Sequence, residues 1–307
     1  MSLDSGLSEV NRRQFLGAAG GATMASINFV GASPQVPIAK EGTVRDRLWV
    51  FACPVNNDYP HLRRRSLMTP AESAFFFGIP NILIIQVRPR PGEEKWFKPF
   101  EPPFDQYAIS LRPLKRVVWS VVGGGGVTEE GERKQVLEMA KRIPNFVGVF
   151  MDDFFHPDEK QVASLAVDDL RNLQTVLKGQ GKKLDLFVTL YTHQLDLPVG
   201  DYLSLIDVIT LWTWKPADLV NLEANFKKLE QVAPRSRKML GCYVVDYDNR
   251  TSTPIPAMQH QCELGLRWLK EKRIEGIIFL GNSVMDLGYE AVDWTRDWIE
   301  RVAESKL

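Results

Sequence analysis

Along this chain, short runs of consecutive apolar residues alternate with longer stretches in which apolar positions return every three or four residues. The runs are LWVFACP (48–54), NILIIQV (81–87), RVVWSVVG (116–123), FVGVFMDDFF (146–155), LDLFVTLYTH (184–193), DVITLWTW (207–214), KMLGCYVVDY (238–247) and IEGIIFLGN (274–282). Near-continuous apolar runs of this length are expected of parallel strands covered on both faces. The intervening stretches read as helices. Thr69-Pro70-Ala71-Glu72 supplies a cap, a proline at the first helical position and a glutamate three residues after the cap. Val162, Leu165, Ala166, Leu170, Leu173 and Leu177 share one helical face, and Leu219, Leu222, Phe226, Leu229 and Val232 share another. Further helices are predicted near 104–111, 129–141, 198–205, 256–272 and 289–303. Eight such strand–helix units predict a single-domain α/β fold, a (β/α)8 TIM barrel over residues 44–307. A doubly wound open sheet is the alternative, but no glycine-rich phosphate turn follows the first strand. Gly123 to Gly126 follows the third strand with no Lys-Ser/Thr behind it, and reads as a flexible loop, with a phosphate cradle as the other option.

The first forty residues carry a different pattern. Arg12 and Arg13 precede Phe15 and Leu16, and a Gly/Ala-rich, weakly apolar run follows. A basic start before a short apolar stretch predicts an export signal, too short and glycine-rich to span a bilayer stably. The Arg-Arg-x-Phe-Leu order resembles the twin-arginine signal of bacteria and archaea. That resemblance implies passage of a folded protein through the twin-arginine translocase, and a periplasmic or extracellular location. The expected division is a signal over 1–32, a linker over 33–43 and the barrel beyond it.

Charge narrows the choice of partner. Lys plus Arg and Asp plus Glu both number 38 in 307 residues, a balance that argues against a nucleic-acid or anionic-membrane surface. Three cysteines, Cys53, Cys242 and Cys262, show no framework spacing, and no CxxC or HExxH metal motif occurs. Neither a cofactor nor a metal is expected on the primary reading.

In a barrel the chemistry gathers at the C-terminal ends of the strands, and polar and aromatic residues concentrate there. The first strand leads to Asn56 and His61, the second to Gln86 and Arg88, the third to Trp119 and Ser120. The fourth ends in Asp152, Asp153, Phe154, Phe155 and His156; the fifth in Tyr191 and His193; the sixth in Trp212 and Trp214; the seventh in Asp246, Tyr247 and Asp248; the eighth in Asn282. An ionised carboxylate inside a barrel is costly unless it is partnered or used. Two adjacent aspartates should drive one pKa upward, giving an acid beside a base or stabiliser. Aromatic plates beside carboxylates suit a carbohydrate, because rings stack on the apolar faces of sugars while Asn, Gln and Arg bond the hydroxyls.

These features resemble the (β/α)8 glycoside hydrolases, and VFMDDFF is similar to the fourth strand of the chitinase-like group with its alternating D-x-D-x-E series. Here Phe154 stands two residues after Asp152 and no Glu follows at four. The resemblance implies an exported hydrolase of glycans or glycosides. Its candidate catalytic residues are Asp152, Asp153, Asp246, Tyr191 and His193. Candidate substrate contacts are Trp212, Trp214, Trp119, Arg88, Gln86, Asn56 and Asn282. A loop acid such as Glu93 or Glu94 could complete the set. Structural readings stand beside these roles: Asp153 as a cap, Asp246 as turn chemistry, the tryptophans as barrel packing. Two other functions stay open. His61, His156 and His193 with an aspartate could hold a metal for a deacetylase or phosphoesterase, or the barrel could bind carbohydrate without cleaving it.

Overall fold

The computed structural model describes residues 42–307 except 58, 60, 61, 90, 91, 157–161 and 180. The predicted signal and nearly all of the linker lie outside these residues, as does His61. No helix among the described residues is long and apolar enough to cross a membrane.

Eight parallel strands close into a barrel. They are β1 (Leu48–Ala52), β2 (Asn81–Ile84), β3 (Arg116–Val122), β4 (Phe146–Met151), β5 (Asp185–Tyr191), β6 (Val208–Trp212), β7 (Arg237–Cys242) and β10 (Gly276–Leu280). Each pairs with the next in sequence, and β10 returns to β1 with Leu48 opposite Ile277. That closure excludes the open doubly wound sheet. The helices are α1 (Pro70–Phe77), α2 (Asp105–Ser110), α3 (Glu130–Arg142), α4 (Val167–Lys178), α5 (Gly200–Leu203), α6 (Leu222–Val232), α7 (Ile255–Lys270) and α8 (Glu290–Val302). The predicted cap of α1 forms: the Thr69 hydroxyl accepts from the Glu72 amide, and Glu72 accepts from the Thr69 amide at 2.7 Å.

Two departures from the expected elements affect the site. Helix α4 begins at Val167, so Val162 and Leu165 precede it. The run expected as one strand over 238–247 breaks after Cys242, and its end forms half of a small hairpin, β8 (Val245–Asp246) with β9 (Thr251–Ser252).

Alternation sorts the core into two shells. Trp49, Leu83, Val118, Phe150, Phe187, Trp212, Met239 and Ile278 fill the barrel interior, while Val50, Ile82, Val117, Trp119, Val149 and Cys242 pack outward against the helices. Gly241 is required by close approach, since a Cβ there would overlap the Trp212 indole. At the N-terminal end of the strands, Val44 donates to the Ser305 carbonyl and Leu307 to the Gly42 carbonyl at 2.7 Å, so both ends of the described chain meet beneath the barrel.

Candidate active site

At the C-terminal end of the strands a cavity of about 270 Å³ sits above the interior shell. Its walls include Phe51, Cys53, Arg88, Glu93, Phe97, Asp152, Asp153, Tyr191, Trp214, Tyr243, Tyr247 and Ser283. Asp152 follows Gly148 and Phe150 on the inward face of β4, and its side chain therefore rises into the cavity floor at 6% exposure. Thr189, inward on the adjacent β5, donates to Asp152 Oδ1 at 2.9 Å. Burial pushes this carboxyl well above the ordinary range, and the neighbouring Asp153 pushes it further, outweighing the Thr189 bond that opposes the rise. Burial at this position thus favours the protonated form of Asp152.

Asp153 has the opposite surroundings. Its backbone takes a left-handed conformation (φ 44°), which turns the side chain across the mouth. Tyr191 Oη donates to Asp153 Oδ1 at 2.6 Å, and the Gly125 amide donates to Oδ2 at 2.7 Å. Both carboxylate oxygens are thereby tied down by the protein itself. Burial, with Tyr243 and Asp153 adding to it, raises the Tyr191 phenol well above its usual value and keeps it a donor. The glycine loop after β3 is therefore an ordered turn whose amides are already engaged. Gly124 donates to the Gln86 carbonyl, Gly125 to Asp153 and Gly126 to the Gly123 carbonyl. The anion this loop cradles is a side chain of the protein.

An aromatic wall adjoins Asp153 through Tyr191. Trp214 stacks on Tyr247 at 5.2 Å with 16° between planes, and meets Tyr243 edge-on at 5.7 Å and Tyr191 edge-on at 6.0 Å. On the other rim one turn presents two side chains at once. The Glu93 carbonyl accepts from the Trp96 and Phe97 amides, which places Glu93 and Phe97 together on the cavity. Phe97 packs edge-on against Tyr59 at 5.2 Å, and the Tyr59 hydroxyl donates to Cys53 Sγ at 3.2 Å. Burial pushes the Cys53 thiol up to about 11, so it is a neutral group at this wall.

The structure redistributes the other expected residues. Trp119 lies on the outward face of β3, fully buried among Phe100, Phe104 and Phe146, and offers no platform at the mouth. Trp212 points inward but is sealed below the cavity at 1% exposure, under Phe51 and Tyr243, with its indole N–H donated to Thr210. Asp246 belongs to the hairpin. Its carboxylate accepts from the Asp248 and Asn249 amides and from Asn249 Nδ2, the turn chemistry that was its alternative reading. Register explains the miss: Met239, Gly241 and Tyr243 face inward on this segment, so Tyr243 takes the position expected of Asp246.

His193 stacks flat on Tyr191 at 5.4 Å and does not line the cavity; burial lowers its pKa, which keeps the ring neutral. Gln86 ties the Phe100 backbone, accepting from its amide at 2.8 Å and donating to its carbonyl at 2.9 Å. Asn282 donates to the Cys53 and Met68 carbonyls and accepts from the Cys53 amide. Both are braces beneath the rim. Asn56 is exposed in a left-handed turn (φ 66°), while Asn57 makes the buried bonds to Pro54 and Lys98. Arg88 does reach the cavity, where its Nε donates to Glu132 at 2.8 Å and Nη1 lies 3.3 Å from Glu129. Of the loop acids, Glu93 faces the cavity, whereas Glu94 accepts from the Gly92 amide on the exposed side. His156 bonds Ser164 at 3.0 Å, and among the described residues no three His, Cys, Asp or Glu side chains are grouped to hold a metal ion.

No protein-family model matches this sequence, and no curated protein matches it. Solved structures do. A protein of Bacteroides thetaiotaomicron provisionally assigned as an alpha-L-fucosidase aligns at TM-score 0.55 and 12% identity, over 87% of this chain and 99% of its own. A xylanase and amylase inhibitor protein aligns at TM-score 0.52 and 10% identity, over 85% of this chain and 99% of its own. Active domain 2 of a thermostable chitinase from Pyrococcus furiosus, solved with chito-oligosaccharides, aligns at TM-score 0.50 and 12% identity, over 78% and 84%. At such identities the likeness establishes a shared barrel and nothing finer. Barrels of the glycoside-hydrolase type are among those that share it.

Proposed function

We propose that this protein binds a glycan at the barrel mouth and hydrolyses a glycosidic bond there. The observation that carries the reading is a buried carboxyl, Asp152, whose pKa burial raises, beside a second carboxyl fixed by two donors, Asp153, in an aromatic-walled cavity. A neutral acid and an anion side by side are what glycoside cleavage needs. In this mechanism Asp152 gives its proton to the leaving oxygen as the C1–O bond breaks. The charge of Asp153 stabilises the cationic ring that develops. Attacking water then returns a proton to the site as the new C1–O bond forms. Trp214, Tyr243 and Tyr247 supply stacking surface, and Glu93 is the further carboxylate within reach of the cavity. At about 270 Å³ the cavity lies just below the usual range of ligand sites, roughly 300–1,000 Å³, and so suits one sugar ring at a time.

The test is turnover of a panel of polysaccharides and aryl glycosides by the wild type and by Asp152→Asn. Loss of a general acid should slow the reaction by about 10²- to 10⁴-fold. Full turnover by Asp152→Asn would remove the central assignment. Sugar binding with no turnover of any substrate would instead support a carbohydrate-binding barrel, a reading in keeping with the inhibitor protein that shares the fold.

The paired Arg12-Arg13 before a weakly apolar run supports export through the twin-arginine translocase to the periplasm or beyond. Replacing both arginines by lysine should leave the protein unexported, which cell fractionation would read directly.

A further inference from the structure

The charge around the cavity indicates which sugars it admits. Arg88 is the only lysine or arginine among the described residues that line it, and Glu129 and Glu132 already hold its guanidinium. A sugar carboxylate arriving there would have to displace one of those glutamates and would meet the Asp153 carboxylate as well. The walls otherwise carry negative charge. Asp153 faces in from β4 and Glu93 from the β2–α2 loop, each with its own contacts inside the protein. Trp214 and Tyr247, stacked on each other, line the same cavity, and aromatic rings attract cations.

Carboxylates and aromatic faces around a small space, with the single cation cancelled, make a receptor for positive charge. Resting on the glycan reading above, we propose that the ring held in this cavity is an amino sugar with a free, protonated amine. Its ammonium bonds Asp153 or Glu93 while the apolar face of the ring lies on Trp214. An N-acyl group removes the charge and adds bulk in a cavity sized for one ring. A uronic acid brings the wrong sign.

Calorimetric titration of the wild type and of Asp152→Asn at mildly acidic pH and low salt tests this. The probes are size-matched glucosamine, N-acetylglucosamine, glucose and galacturonate oligomers. The glucosamine oligomers should bind roughly tenfold or more tightly than the neutral and N-acetylated ones, with no binding of the uronate. Glu93→Gln should narrow that preference, weakening the glucosamine oligomers more than the glucose oligomers. Equal or tighter binding of the neutral, N-acetylated or acidic oligomers overturns the proposal and leaves the glycan reading standing. Binding of none of the four removes the glycan reading and this inference together.

Discussion

Asp152 and Asp153 are neighbours in sequence, yet they sit in different surroundings. Asp152 sinks into the barrel beside Thr189, where burial raises its pKa. Asp153 turns out through a left-handed backbone to meet Tyr191 and Gly125. The raised pKa of Asp152 has a stability signature. A carboxyl that binds its proton more tightly when folded contributes stability that is complete below about pH 3.9, its unfolded value, and is lost as pH rises through the folded value. Asp152→Asn should therefore melt higher than the wild type at neutral pH and show a flatter dependence of melting temperature from acid to neutral pH. Coincident curves for the two proteins would place the carboxyl in an ordinary environment. On the proposed function, Tyr191 is a positioning residue for Asp153. Removing its hydroxyl in Tyr191→Phe deletes a charge-assisted bond and should lower kcat by about 10- to 100-fold with KM little changed. That Asp152 would line the barrel mouth was readable from two adjacent carboxylates at the end of an apolar run. That Asp153 would be fixed by a glycine-loop amide was not, because a left-handed φ at an aspartate leaves no mark in composition.

Strand parity decided what the sequence could place and what it could not. On β4 the inward series Gly148, Phe150, Asp152 was legible, since one face of the run carries the acid. On β3 the same rule, applied from inward-facing Val118 and Ser120, sends Trp119 outward, where it packs in the helix layer. The seventh unit failed for a different reason. Its apolar run continues without punctuation from β7 into β8, so nothing in the pattern marks the break after Cys242 that carries Asp246 out of the barrel and brings Tyr243 and Tyr247 to the cavity. Packing inside β7 offers a sharp test. Any side chain at Gly241 strikes the Trp212 indole, so Gly241→Ala should cost about 1–3 kcal/mol of stability by overpacking, and more if the ring cannot shift. Denaturant unfolding would measure it, and an unchanged midpoint would show that Trp212 moves freely.

Closure gives the molecule a seam between its last strand and its first, where pairing must join residues more than two hundred positions apart. Asn282 sits at the upper end of that seam and holds Cys53 and Met68 with three hydrogen bonds. Truncation in Asn282→Ala leaves buried backbone groups unmatched, at about 1–3 kcal/mol for each group left bare. A lower melting temperature is expected, with catalytic constants reduced only as far as the rim of Cys53 loosens. Such a brace was not separable from a substrate contact by residue type, because an asparagine at a strand end fits either role equally well. At the other pole, the Gly42–Leu307 and Val44–Ser305 bonds bring both ends of the described chain under the floor of the barrel. Anything grafted after Leu307, a tether to a resin or a fused partner, will be joined on the far side from the opening. Immobilised protein should consequently display its mouth to the solution, ready to be challenged with arrays of soluble saccharides without reorientation.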